Sequence, residues 1–122
     1  ANTPKIRSLP LASACGVSNA RSLAAIGNQI LSGSGSILSP EGLRSALLAG
    51  GKALFDEGIG RRLAFSKCGW GLDRFAEFGC PGWIGWAGVG GSVFVLHPPT
   101  RSVFAYTVSG MAAEQYKARG VR

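Results

Sequence analysis

The stretch spanning residues 83–111 constrains the fold more than any other part of this chain. Two apolar runs in it, residues 92–96 and 102–108, are rich in valine, phenylalanine, tyrosine and threonine, which favour strands. The Pro98-Pro99 pair between them cannot continue a strand ladder, because proline has no N–H to donate. The sequence therefore predicts a hairpin. Because neither run alternates cleanly between apolar and polar residues, we expect both faces of this hairpin to be covered.

A glycine-rich segment stands just before the first of these strands, with glycines at positions 85, 88, 90 and 91. Glycine leaves the main chain uncovered, so a ligand can approach it closely. We expect the chemistry of this chain, if it has any, to lie there. The glycines contain no G-x-G-x-x-G and precede a strand instead of opening a helix, so they do not favour dinucleotide binding.

Helices are predicted before the strands. Residues 20–31 carry apolar residues at helical spacing behind an N-cap at Asn19 or Ser18, with Gly27 as a weak point. Residues 40–48 follow an N-cap at Ser39 and begin with proline, which suits a first helical turn.

The remaining segments complete an α+β order, in which helices precede strands and a helix closes the chain. This order predicts an antiparallel sheet covered by helices. The other segments are interpreted as coil (residues 1–19), loop (52–62), a strand (63–73), a turn or excursion (74–81) and a short closing helix (111–119).

The charge of the chain invites a nucleic-acid interpretation, since the formal net charge is +7. The basic residues are spread along the whole sequence, however, and no helix-turn-helix, zinc-finger or RNA-binding aromatic signature accompanies them. A solvated basic surface, or one that faces further parts of a larger protein, is favoured. We expect no nucleic-acid partner, and binding of nucleic acid stays an alternative supported by charge alone.

The cysteines and the single histidine show no metal-ligand spacing, so no metal and no cofactor are predicted. Cys68 and Cys80 flank a loop and pair if oxidised, but buried thiols, Cys15 included, are the favoured interpretation. His97 is expected to be a surface turn residue. No apolar run approaches the roughly 20 residues of a membrane span, so we expect none.

Several segments, taken in order, resemble the serine beta-lactamase-related hydrolases, which include class C beta-lactamases, penicillin-binding proteins, esterases and animal beta-lactamase-like proteins. The glycine entrance, its strand, the proline turn and the strand ending before Met111 resemble the end of that domain. Further similar segments are Gly-Val-Ser-Asn-Ala-Arg-Ser-Leu-Ala at 16–24, Leu-Ser-Pro-Glu at 38–41 and Gly-Trp-Gly-Leu at 69–72. The resemblance covers roughly residues 13–111 and implies a partial beta-lactamase/transpeptidase-like domain.

The departures from this family concern its catalytic groups. Its nucleophile lies in a Ser-x-x-Lys motif, followed by Tyr-x-Asn or Ser-x-Asn and then a Lys-Thr-Gly-type motif on the sheet. None of the serines in these 122 residues has lysine three places on, and neither Tyr106 nor Tyr116 begins Tyr-x-Asn. We therefore expect residues 1–122, which begin with Ala1, to be the C-terminal portion of a larger domain and to form no acyl-enzyme alone.

The third motif is present in altered form, by the same resemblance, as Trp86-Ala87-Gly88. The resemblance implies that the N–H of Val89 donates to an oxyanion, a contact worth a few kcal/mol of barrier. It also implies that Trp86, Ala87, Gly88 and Gly90 border the substrate. Trp86 replaces the family's Lys or His and so removes the cation that would meet a carboxylate, which favours a neutral ester or amide. The alternatives are a core or sheet-face aromatic for Trp86 and a bulge or tight strand crossing for the glycines.

The leading hypothesis is therefore a fragment of a serine hydrolase whose parent transfers an acyl group from an ester or amide to serine and then to water. The alternative is a non-catalytic scaffold or interaction protein of the same fold. A half-domain also exposes an unpaired strand edge, so self-association of the isolated chain is expected.

Overall fold

The computed structural model describes residues 3–11, 16–32, 37–48, 50–58, 60–72, 79–88 and 90–110. These residues form helices and two small antiparallel sheets, which is an α+β architecture. The helices are α1 (Pro4–Arg7), α2 (Ala20–Leu31) and α3 (Pro40–Leu47). The strands are β1 (Leu54–Asp56), β2 (Arg61–Phe65), β3 (Gly71–Leu72), β4 (Ile84–Ala87), β5 (Val93–His97) and β6 (Ser102–Tyr106).

The two longer helices begin where their capping residues predict. The Asn19 side chain accepts a hydrogen bond from the Ser22 N–H at 2.9 Å, and the Ser39 hydroxyl accepts one from the Gly42 N–H at 3.0 Å. Each bond satisfies an N–H that has no partner inside its helix. The coil predicted at the start of the chain is wrong for residues 4–7, which form the single helical turn α1 behind Thr3.

The first sheet, ordered β1-β2-β3, corrects two expectations. The predicted loop at 52–62 contains β1 and the start of β2, which pair as an antiparallel hairpin. The predicted single strand at 63–73 is β2 and β3 folded back on each other, with Ala64 opposite Leu72. Between them the Ser66 N–H donates to the Trp70 carbonyl at 2.8 Å, and Gly69 has a φ of 80°. The chain therefore turns back on itself inside the segment that the sequence predicts as one strand.

The second sheet, ordered β4-β5-β6, contains the predicted hairpin. Strands β5 and β6 lie within a residue or two of the predicted runs, and Pro98–Thr100 form a 3-10 turn between them. The structure adds β4, which pairs with β5 so that Trp86 lies opposite Phe94. The glycine-rich entrance is thus largely a strand and its hairpin turn.

One hydrophobic core joins helices α2 and α3 to both sheets. Its buried residues are Ile30 and Leu31 of α2, Ile84 of β4 and Leu96 of β5, which is fully buried. Leucines of α3, together with Trp70 and Leu72 from the first sheet, pack against this cluster. Gly27 allows α2 to approach the second sheet, because a Cβ there would lie 2.6 Å from Val103 Cγ1.

Only one face of the second sheet is covered by a described helix. Residues opposite each other in a ladder share a face, so Phe94, Leu96 and Val103 lie on the α2 side. The other face carries Phe104 and Tyr106, whose side chains are 51% and 53% exposed. Val95, which pairs with Phe104 and so lies on that same face, is 5% exposed, so the expected covering of both hairpin faces is met only in part.

Some expectations concern segments that the structure does not describe. The closing helix at 111–119, the loop at 33–36, most of the 74–81 segment and Cys15 lie wholly or in part outside the described residues. No helix in the described ranges combines the length and apolarity that crossing a membrane requires.

Candidate functional site

The predicted site residues lie at the end of β4 and in the turn that follows it. Trp86 and Ala87 are the last two residues of β4, and Gly88 comes directly after them. Gly90 is buried in the turn. Val89, whose N–H is expected to donate to an oxyanion, lies outside the described residues. The structure therefore brings Trp86, Ala87, Gly88 and Gly90 together at one end of the second sheet.

Gly88 uses its main chain to close the β4–β5 hairpin. Its N–H donates to the Ser92 carbonyl at 2.7 Å, and its carbonyl accepts from the Gly91 N–H at 3.0 Å. Gly91 has a φ of 102°, a conformation that glycine adopts at little cost. Both main-chain groups of Gly88 therefore serve the turn, and its place in a substrate site stays a prediction.

The main-chain groups at the outer edge of β4 come from residues other than Gly88. The direct bond from Gly88 to Ser92 makes this a hydrogen-bonded pair, and such pairs alternate along an antiparallel ladder. With the constant register of this ladder, Ile84 and Trp86 direct their main-chain groups to β5. Gly85 and Ala87 therefore direct theirs away from β5. Ala87 presents an N–H and a carbonyl beside the exposed ring of Trp86.

Gly85 fixes how closely β4 approaches β5. Its φ is 132°, a value that side-chain-bearing residues rarely adopt. A Cβ at this position would overlap the carbonyl oxygen of Phe94. The residue before Trp86 therefore has to be glycine for this strand geometry.

An open cleft of about 510 Å³ lies beside Trp86, where the first sheet meets the second. Residues from both sheets and from the β2–β3 turn form its walls. The lining residues are Phe65, Cys68, Gly69, Trp70, Gly71, Gly85, Trp86 and Phe94. None of these described residues is charged, so the cleft suits an uncharged, apolar or aromatic group.

Two aromatic contacts shape this cleft, which we call the aromatic cleft. Phe65 stacks on Trp86 with 5.6 Å between ring centroids and 21° between ring planes. Trp70 packs against Phe94 at 6.1 Å and 46°. Trp86 is 37% exposed, so part of its side chain lies at the surface of the cleft. The interpretation of Trp86 as a sheet-face aromatic agrees with its place in β4 and its stacking on Phe65.

A second, more polar groove of about 680 Å³ follows the β1–β2 hairpin, and none of the predicted site residues lines it. Phe65 borders both hollows, while Lys52, Asp56 and Lys67 make this groove charged. We therefore take the aromatic cleft, which Trp86 lines, as the candidate site.

Sequence reasoning did not single out Phe65, Cys68 or Phe94 as site residues. Their role depends on the packing of one sheet against the other, which the order of residues does not reveal. One local signal was present: Trp70 stands between Gly69 and Gly71, and Trp86 follows Gly85. Small neighbours on a strand leave a large ring unshielded, and both tryptophans line the cleft.

The other chemistry-bearing side chains lie elsewhere or have structural partners. The side chains of Cys68 and Cys80 are exposed, so the expectation that they are buried is wrong. His97 is the last residue of β5 and is half-buried. Its Nδ1 lies 2.6 Å from the Thr100 hydroxyl, and its ring stacks on Trp83 at 5.2 Å. Within the described ranges, no cluster of metal-ligating side chains occurs.

Comparisons with models of known protein families, with curated proteins and with solved structures gave no match to this chain. Its chemistry is therefore inferred from its own residues and their geometry.

Proposed function

We propose that this chain is the C-terminal portion of a beta-lactamase-related serine hydrolase and forms the substrate-facing edge of its site. The parent reaction is acyl transfer from a neutral ester or amide to a serine hydroxyl, with release of the alcohol or amine, followed by attack of water on the acyl-enzyme. The serine and its base belong to residues outside the 122 of this chain. Val89 donates its N–H to the oxyanion, and no cofactor takes part.

The observation that carries this proposal is the main chain of Ala87 at the outer edge of β4. Its N–H and carbonyl point away from β5, and no described strand pairs with that edge. An extended substrate can add to such an edge through main-chain hydrogen bonds.

The substrate class follows from the surroundings of Trp86. None of the described residues that line the aromatic cleft is charged, and the position that resembles the family's Lys or His holds an exposed indole. A carboxylate placed there would lose hydration without gaining a cationic partner among these described residues. An uncharged acyl or aryl group would instead bury apolar surface against Trp86 and Phe65.

The competing proposal is a non-catalytic scaffold of the same fold. Apolar side chains exposed on the edge strands β1 and β6 favour it, since Phe55 and Phe104 offer contact surface without chemistry. The two proposals differ in whether the native protein carries a reactive serine.

A fluorophosphonate reagent, which modifies activated serines covalently, distinguishes them. The native protein is captured from its source with an antibody against this chain and is treated with the reagent. Peptide mass spectrometry then identifies the modified residue. We expect one modified serine, in a Ser-x-x-Lys sequence, on the polypeptide that also yields peptides of this chain. A heat-denatured sample is the control for non-specific labelling.

The recombinant 122-residue chain is the second control and should stay unmodified. Labelling of a serine within the chain, or no labelling of the native protein, would contradict the hydrolase proposal. The latter result would favour the scaffold.

A further inference from the structure

The free edge of β6 differs from the other strand edges that the structure describes. Residues 102–110 contain no charged residue and no proline, although these are the usual means of protecting an edge from further pairing. By contrast, β1 is only three residues long and ends in Asp56. The outer edge of β4 borders the first sheet through the aromatic cleft.

The direction of the main-chain groups on β6 follows from the ladder. Even-numbered residues of β5 bond to β4, so its odd-numbered residues bond to β6. In the β5–β6 register, Val95 pairs with Phe104 and Val93 with Tyr106. The N–H and carbonyl groups of Val103 and Ala105 therefore face away from β5, where no described strand meets them.

We infer that β6 pairs with β6 of a second copy of this chain, in antiparallel orientation about a two-fold axis through Ala105. Ala105 of each copy then forms a hydrogen-bonded pair with Ala105 of the other. Val103 pairs with Thr107, so every outward group on the strand gains a partner. The two sheets become one continuous sheet, and the contact is closed because each copy uses the same surface.

The side chains favour this register over a shift of one residue. With the axis at Ala105, Phe104 stands opposite Tyr106 of the second copy, twice, in pairs that are not hydrogen-bonded and so bring side chains closest. Both rings are half-exposed in the single copy. An axis at Phe104 would place Tyr106 opposite Ser102 and would leave that tyrosine ring without an aromatic neighbour.

A second copy fits this edge better than a chain of different chemistry. The edge carries no charge that would select an oppositely charged partner, and its aromatic and small residues complement themselves. Helix α2 packs over β6 on the face opposite to Phe104 and Tyr106, so it does not cover these rings. This inference does not rest on the proposed hydrolase function.

Sedimentation velocity of the 122-residue chain over a range of concentrations tests the pairing. We expect a monomer–dimer equilibrium with no larger closed species. Phe104→Lys should abolish the dimer, because it places a lysine opposite Tyr106 in both halves of the contact. Phe55→Lys, at a similarly exposed phenylalanine on β1, is the matched control and should leave the dimer unchanged.

A charge exchange tests the register. In the double variant Phe104→Lys with Tyr106→Glu, each lysine faces a glutamate of the second copy, and we expect the dimer to return. Circular dichroism of each variant checks that the monomer is folded. A chain that stays monomeric at all concentrations would overturn the inference, as would a dimer that survives Phe104→Lys or a double variant that remains monomeric. Open-ended assemblies that persist in Phe104→Lys would also overturn it and assign association to another surface.

Discussion

Asn19 and Ser39 set the start of the two longer helices through single side-chain hydrogen bonds. Replacing either by alanine leaves an N–H at the helix end without its partner. We expect Asn19→Ala and Ser39→Ala each to lower the free energy of unfolding by about 1 kcal/mol. Urea denaturation followed by circular dichroism measures this. Ser32→Ala, at the other end of α2, is the control and should change stability much less, and equal losses in all three variants would contradict the capping account.

Gly85 is the residue whose replacement the strand geometry tolerates least. Gly85→Ala has to relieve both an overlap with the Phe94 carbonyl and a strained φ of 132°. We expect a loss of at least about 2 kcal/mol in the free energy of unfolding. Gly51→Ala, where an added Cβ meets nothing within 4 Å, should be close to neutral. An unchanged urea midpoint for Gly85→Ala would show that β4 does not approach β5 as described.

At the scale of elements, the packing of the β2–β3 turn against β4 creates the aromatic cleft. Cys68 lines this cleft, while Cys80 is an exposed thiol that does not. A neutral arene such as naphthalene should therefore slow the reaction of Cys68 with a maleimide and leave the rate at Cys80 unchanged. The measurement is peptide mass spectrometry of the Cys15→Ser variant, with Phe65→Ala as a variant in which the protection weakens. Equal rates at Cys68 with and without the arene would contradict the cleft as a binding site.

Elements whose signals are local could be predicted from the sequence. Helices α2 and α3 carry their caps and their apolar spacing within a single segment, and the β5–β6 hairpin is marked by its prolines. The β1–β2 hairpin was missed because its glycines and paired arginines are typical of a loop. The turn inside residues 63–73 was missed because apolar residues stand on both sides of Ser66, Lys67 and Gly69.

The construction of the candidate site could not be predicted from the sequence. The glycines and Trp86 indicated the segment, yet the function of Gly88 depends on its pairing with Ser92, which no single segment shows. The aromatic cleft likewise requires Phe65 of one sheet to reach Trp86 of the other. Contacts between sheets are set by the whole fold, so residues distant in sequence stayed unassigned.

At the scale of the whole molecule, one core links helices α2 and α3 and both sheets, so the edge of β4 is held on a packed support. A site on such a support can tolerate exchange of an exposed side chain without loss of the fold. Trp86 is such a side chain, and its exchange tests whether this edge faces a substrate. The matched control is Trp83→Lys, because Trp83 precedes β4 and stacks on His97, outside the aromatic cleft.

The most direct measurement is the kcat/KM of the full-length protein for two esters that differ by one carboxylate, 4-nitrophenyl butyrate and mono-4-nitrophenyl succinate. We expect the wild type to prefer the butyrate. Trp86→Lys should shift the ratio toward the succinate by about tenfold or more, since a charge-assisted hydrogen bond is worth about 1.5–3 kcal/mol. Trp83→Lys should leave the ratio unchanged. An unchanged ratio in Trp86→Lys, or hydrolysis of neither ester by the wild type, would contradict the account of β4 as the substrate-facing edge of a serine hydrolase.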